Sequence, residues 1–186
     1  FIDNYEVTNA RYRQFILETG HSKPRYFDDP RYNEDNQPVV GVTWEDAQAF
    51  CTWAKKRVPT EAEWEKAARG KKSLLFPWGD VFNSNYSNTK VSKNNRPLSV
   101  GKYYKGRSPY GLHDMSGNVW EWCQDWYEKN YYPRSPVRSP TGPKSGKKRV
   151  IRGGGWNSPY VDMTHRRGID PTKAHPSVGF RCARNP

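Results

Sequence analysis

Apolar residues recur at helical spacing in three places early in the chain, and each run carries its own start and stop signals. After Thr8-Asn9, the side chains of Tyr12, Phe15 and Ile16 share one face and Gly20 follows as a stop, which predicts a first helix. A second helix is predicted from Thr43, whose hydroxyl can cap while Asp46 occupies the third helical position. Ala47, Phe50, Cys51 and Ala54 then recur at helical spacing, turning Cys51 inward. The third opens on Pro59-Thr60-Glu61-Ala62-Glu63, a capping box. Trp64, Ala67 and Ala68 form its apolar face and Gly70 ends it.

Beyond Gly70 the regular pattern gives out. Phe76-Pro77-Trp78-Gly79-Asp80 reads as a turn with aromatic anchors, and 83–97 as an Asn/Ser-rich loop. Residues 128–149 form a long polar excursion punctuated by Pro133, Pro136, Pro140, Gly142 and Pro143; loops of that length inside a compact domain are usually functional or mobile. Short strands are expected at Arg149–Arg152 and Gly179–Ala183. There is no internal repeat. Helices first, then loops and short strands, read as an α+β domain, and 186 residues suit a single domain covering the whole chain.

Composition changes the picture in two respects. Only 34 % of the residues are apolar, but eight Trp, twelve Tyr and seven Phe bring the aromatics to 15 %, which speaks for a folded, loop-rich globule over a disordered chain. The formal charge of +12 invites a nucleic-acid reading. The basic residues come in small scattered groups, however, such as Lys55-Lys56-Arg57 and Lys147-Lys148-Arg149, with no nucleic-acid motif beside them. A solvated basic surface, or one facing an acidic partner or anionic surface, is expected instead of specific nucleic-acid binding. No apolar run approaches the roughly 18 residues of a transmembrane segment.

Two motifs carry chemistry. One runs Tyr110-Gly111-Leu112-His113-Asp114-Met115-Ser116-Gly117-Asn118-Val119-Trp120-Glu121-Trp122; the other is Arg152-Gly153-Gly154-Gly155-Trp156-Asn157, closed by Val178-Gly179-Phe180-Arg181-Cys182-Ala183-Arg184. Glycines and oxygen ligands on a turning loop suit a hard cation, although capping and turn hydrogen bonds would account for the acids equally well. Together with Val7-Thr8-Asn9, Pro38–Trp44, Arg57–Glu65 and Phe76-Pro77-Trp78-Gly79, these blocks resemble the formylglycine-generating enzyme, or sulfatase-modifying factor, family from Phe1 to Arg184. The resemblance implies a formylglycine-generating-enzyme-like, C-type-lectin-like α+β fold with short strands, a few helices and long loops. The Gly-Gly-x-Phe-x-Met-Gly strand usual at the family's N-terminus is absent, so a first strand is expected to be missing.

The resemblance also assigns roles. Cys51 and Cys182 would pair as a disulfide, the alternative being two buried free thiols in a reducing compartment; the disulfide places the chain in the periplasm, at the cell surface or outside the cell. Cys123 is left over, a buried inert thiol or a reactive one. The family's enzyme holds copper(I) with two thiolates, the donors a soft ion prefers. Ser158 and Met163 stand at those positions here. A protonated hydroxyl and one thioether do not replace two thiolates, so neither copper nor iron is expected, and formylglycine synthesis with them. His21, His113, His165 and His175 show no close metal-ligand spacing.

Calcium is the cofactor the resemblance does imply, with Asp114, Gly117, Val119 and Glu121 as ligands. A second family site starts at Asn88 and Thr89, but the loop that would complete it, Lys93-Asn94-Asn95-Arg96, has no carboxylate. Trp78, Trp120, Trp122 and Trp156 are expected in the core. Trp156, Arg166, Arg167 and Arg181 fall where the family builds its substrate groove, and the arginines would bind an anion there or make structural ion pairs. The leading expectation is a noncatalytic recognition or structural module of an exported protein, binding a protein, peptide or other acidic partner between 155–178 and 128–149. Against it stand a divergent metal-dependent oxidase and a retroelement-diversified variable protein. Such diversification leaves many Asn in the last segment, whereas Asn157 is the single Asn between Gly153 and Phe180.

Overall fold

A computed structural model describes residues 1–185. Its three α-helices lie where the pattern puts them. The first, α1 (Asn9–Thr19), starts at Thr8, whose hydroxyl accepts the Arg11 N–H, and ends at Gly20 in the left-handed region at φ 72°. Capping boxes open the other two: Thr43 with Asp46 for α2 (Trp44–Trp53), and Thr60 with Glu63 for α3 (Glu61–Arg69). In α3, Glu61 and Glu63 sit in the first turn and Lys66 and Arg69 in the last, which complements the helix dipole at both ends.

The sheet departs further from expectation. It has four strands, β1 (Trp120–Trp126), β2 (Arg149–Arg152), β3 (Arg166–Ile169) and β4 (Val178–Gly179), in the order β3-β2-β1-β4. The β1/β2 and β2/β3 pairs are antiparallel and β1/β4 is parallel. The anticipated strand at Arg149–Arg152 is present. That at Gly179–Ala183 shrinks to Val178–Gly179, with Ala183 making isolated bridges to Ile2 and Arg57. Neither β1 nor β3 was anticipated. In β1 the apolar–polar alternation lasts only through Trp120-Glu121-Trp122 before buried Cys123 interrupts it, and β3 reads Arg-Arg-Gly-Ile, too polar to signal a strand.

Register sorts the core into two layers. Trp120, Trp122, Ile151, Arg167 and Ile169 fall on one face of the sheet; Glu121, Cys123, Val150, Arg152 and Arg166 fall on the other. The first face joins the cluster that holds Tyr12, Phe15, Ala47 and Phe50 of α1 and α2. The second meets Trp64, Ala67 and Ala68 of α3, with Met115 and Met163. Pairing slips between Trp122 and Trp126, and the freed stretch ties both helices down. The Cys123 carbonyl accepts Trp44 Nε1–H (3.0 Å), Gln124 N–H reaches Pro59 O (2.9 Å) and Asp125 Oδ2 accepts Glu61 N–H (2.8 Å). A disulfide joins Cys51 of α2 to Cys182, with Cα atoms 5.7 Å apart across 131 residues of sequence; chain-entropy estimates put the stabilisation at roughly 5 kcal/mol.

Candidate functional site

The two motifs meet face to face. Gly153 (φ 93°) and Gly154 (φ 78°) take left-handed conformations, and a Cβ on Gly154 would stand 2.9 Å from Val161, so only glycine fits this turn. The turn docks on the other loop through Gly117 N–H to Gly153 O (2.9 Å) and Trp156 N–H to Asn118 O (2.7 Å). Past it, the positions aligned with the family's copper ligands go separate ways. Met163 is fully buried in the cluster around Trp64, and Arg152 donates to its carbonyl at 2.6 Å. Ser158 lies beside Trp120: its hydroxyl accepts Trp120 Nε1–H and Gly155 N–H, both at 3.1 Å.

Next to Gly117–Trp122 is a buried charge cluster. Arg181 is completely inaccessible and donates to both carboxylate oxygens of Glu121 at 2.7 Å, and to the carbonyls of Asp3, Asn4 and His113. Trp64 Nε1–H adds a further bond to Glu121 Oε2 at 2.8 Å. Asp114, left-handed at φ 58°, accepts Gly101 N–H at 2.6 Å. Glu6 accepts Asn118 Nδ2–H at 2.7 Å and Val119 N–H. Burial, and then the neighbouring acids Asp114 and Glu121, hold the Glu6 carboxyl well above its ordinary range; burial first of all pushes Asp114 up to about 6. Three acidic side chains thus surround one guanidinium, which hydrogen-bonds Glu121 alone among them.

Left-handed Gly117 (φ 91°) and Asn118 (φ 64°) turn the loop beside Asp114, although no group of three His, Cys, Asp or Glu side chains among the described residues converges as a metal cluster. Glu121 itself lies on β1 with both oxygens committed to Arg181, so it serves as the arginine's partner more than as a ligand. Glu6, which sequence reasoning passed over, is the additional acid; its signal was a charge embedded in the strand-like run Tyr5-Glu6-Val7. The second site fares differently. Asn118 Oδ1 accepts Asn88 Nδ2–H (3.1 Å), whose Oδ1 in turn accepts Asn94 Nδ2–H (3.0 Å). An amide donor therefore points at the oxygen a cation would use, and no carboxylate joins it. Asn88 and Thr89 do not fit a divalent ion.

The four groove candidates separate too. Arg181 is interior, as described. Arg166 forms a two-bond pair with Glu61 (2.7 and 2.6 Å) and reaches Glu128 O, while Arg152 pairs with Glu61 and Glu65. These are structural ion pairs, and they pin the start of the 128–149 loop, where Tyr132 also donates to Glu61. Trp156 is half-buried, its Nε1–H on Pro176 O at 3.3 Å. Arg167, by contrast, opens onto a cavity. It lies over the Trp120 ring, 5.5 Å from its centroid, at the edge of a hollow of about 330 Å³ whose lining includes Ile151, Asn157, Ser158 and His175. The role of Asn157 and His175 there was invisible in sequence, since the turn that gathers them carries no periodic signal. Cys123 is buried, and burial raises its thiol well above the usual range, which makes it inert. Trp120 and Trp122 are core residues as expected, whereas Trp78 is only half-buried.

Four short strands, three capped helices and two interlocked Gly-rich loops define an α+β domain of the formylglycine-generating-enzyme-like, C-type-lectin-like class. The chain belongs to the family described as the Sulfatase-modifying factor enzyme 1-like domain, which matches residues 1–186. It is 36 % identical to the Serine/threonine-protein kinase pkn1 of Chlamydia pneumoniae over 100 % of its own length and 33 % of that protein's. It is 38 % identical to the Formylglycine-generating enzyme of Streptomyces coelicolor, covering 80 % of this chain and 52 % of that one. The chain therefore spans between a third and about half of these relatives. Among solved structures, Treponema denticola variable protein 1 superposes with a TM-score of 0.81 at 26 % identity, covering 100 % of this chain and 84 % of that protein.

Proposed function

We propose that this domain is a noncatalytic recognition or structural module of an exported protein. The observation that carries the reading is the fate of the copper-ligand positions: Ser158 holds its oxygen against two N–H donors, and Met163 is packed in the core. Neither offers a thiolate, and Cys123, the remaining free cysteine, is sealed under α3 with a raised pKa. The Cys51–Cys182 disulfide supports an oxidising compartment, whether periplasm, cell surface or medium. Calcium is the proposed cofactor, held by Asp114 and the Gly117–Val119 turn; when bound it supplies charge neutralisation, not redox chemistry. The match to one third of a much longer relative supports a domain that works as part of a larger chain. Its proposed partner is a protein or peptide with acidic character, in keeping with the formal charge of +12.

Metal analysis of the purified protein, copper(I) competition titration and an aerobic assay on a cysteine-containing peptide test the proposal together. Calcium without copper or iron, and no peptide oxidation, is the expected result. Stoichiometric copper or iron, or turnover of the peptide, would replace the reading with that of a divergent oxidase.

A further inference from the structure

The hollow on the outer side of Trp120 has an unusual balance of hydrogen-bonding groups. Ser158 is almost fully buried and its hydroxyl oxygen already accepts two N–H groups, from Trp120 and Gly155. A hydroxyl has two acceptor positions and one proton. With both lone pairs engaged, what Ser158 has left to offer is its O–H, and the structure assigns that proton no acceptor among the described residues. Around it stand other donors: the Arg167 guanidinium, the Asn157 amide and the His175 ring. No Asp or Glu lines the hollow. Arg152, Arg166 and Arg181 are each tied to a glutamate, Arg149 is stacked between Trp44 and Trp126 away from the hollow, and Arg184 lies over Phe1; Arg167, which lines the hollow, forms no ion pair among the described residues and rests on Trp120. Pro159 and Ser177 complete the rim, and Trp120, Ile151, Ile169 and Val178 supply its apolar part.

We propose that this hollow is a carboxylate-binding site that captures the C-terminal residue of a peptide ending in an apolar side chain. The inference rests on the recognition-module reading and names the chemistry of its partner. One guanidinium and one committed hydroxyl donor match a single negative charge. A dianionic phosphate would call for the arginine clusters that phosphate-recognising surfaces use, and those are absent here. Partly buried Ile169 and the edge of Trp120 give the last side chain an apolar contact, and about 330 Å³ has room for one residue, not for a folded element.

The test is an NMR titration of the protein with N-acetyl-leucine, N-acetyl-leucinamide and inorganic phosphate, following the Trp120 indole N–H and the Arg167 Nε–H signals. N-acetyl-leucine should shift both saturably, and the amide and phosphate should bind at least tenfold more weakly. Arg167→Gln, a change at an exposed and unpaired residue, should weaken N-acetyl-leucine at least tenfold while leaving the rest of the spectrum in place. Ser158→Ala should weaken it as well and move the Trp120 indole signal in the free protein. No saturable shift at these two groups, equal binding of the amide, stronger binding of phosphate, or an Arg167→Gln variant that binds as well as the parent would each overturn the proposal. Copper binding or peptide oxidation would sink the noncatalytic reading by a separate readout, so the two failures are distinguishable.

Discussion

Replacing Arg181 with Met is the sharpest test of how the core is assembled. The methionine fills a similar volume but removes the one guanidinium among Glu6, Asp114 and Glu121. It also strips partners from the carbonyls of Asp3, Asn4 and His113. Breaking a buried pair from one side costs about 3–5 kcal/mol, because the surviving charge stays buried without compensation. For a chain of this size each kcal/mol lowers the melting temperature by roughly 2–4 °C, so a fall on the order of 6–20 °C is expected. Urea unfolding followed by Trp fluorescence and a thermal scan by circular dichroism read it independently. The double variant Arg181→Met/Glu121→Gln should recover part of the loss, since the unpaired carboxylate is gone, and the two single changes should be non-additive. A loss below about 1 kcal/mol, or strict additivity, would refute the assignment of Glu121 to Arg181 as a mutually dependent pair.

Other consequences can be checked on the same material. Calcium at about 100 times its dissociation constant should raise stability by about 2.7 kcal/mol, and Asp114→Asn should abolish that gain in a calcium-against-EDTA melting comparison; equal gains in both proteins would place the ion elsewhere. Reducing the Cys51–Cys182 bridge, or replacing both residues with Ala, should cost about 2–5 kcal/mol in urea. Burial pushes Asp125 up to about 6 from an ordinary 3.8, so the folded state holds that proton more tightly than the unfolded one. This contribution to stability is fully present below pH 4, is lost as pH rises towards 6, and changes little above that. Asp125→Asn keeps an acceptor for Glu61 N–H and should remove the slope, leaving the protein more stable at pH 7 by up to about 3 kcal/mol. An unchanged pH profile in that variant would show that Asp125 is not the group responsible.

What the sequence makes legible here follows from locality. The three helices could be read because each is written within a dozen residues: Thr8, Thr43 and Thr60 as caps, Gly20 and Gly70 as stops, apolar residues three and four apart between them. The disulfide and the loop pair were legible only through family resemblance, since nothing near Cys51 in sequence says that Cys182 lies 5.7 Å away. β1 escaped because its alternation, Trp120-Glu121-Trp122, is too short to signal a strand before buried Cys123 breaks it. β3 escaped because its two adjacent arginines serve opposite faces of the sheet: Arg166 is paired inward with Glu61, and Arg167 lies over Trp120 at the cavity. The site was partly legible for the same reason. Asp114 and Gly117 sit in one motif, whereas the third acid of the cluster, Glu6, comes from the other end of the chain and meets that motif through Asn118 and the Val119 N–H.

The distribution of arginines decides which positive charges can act on a partner. A formal charge of +12 invites a diffuse electrostatic reading, and the exposed Lys147 and Lys148 would contribute to one. Such charges are flexible and screened within about 10 Å at 0.1 M salt, so they speed encounters more than they choose a ligand. Arg152, Arg166 and Arg181 are spent inside, each against a glutamate. Arg167 differs from both groups, being held over an indole beside a hydroxyl whose acceptor capacity is already filled. Charge-neutral variants at Lys147 and Lys148 should therefore reduce the association rate of an acidic peptide at low salt and leave its affinity for the hollow nearly unchanged, while Arg167→Gln should do the reverse. Stopped-flow mixing with a fluorescent peptide at two salt concentrations separates the two. If the lysine variants lost affinity as steeply as Arg167→Gln, recognition would belong to the basic surface as a whole, and the position of Arg167 on Trp120 would be only packing.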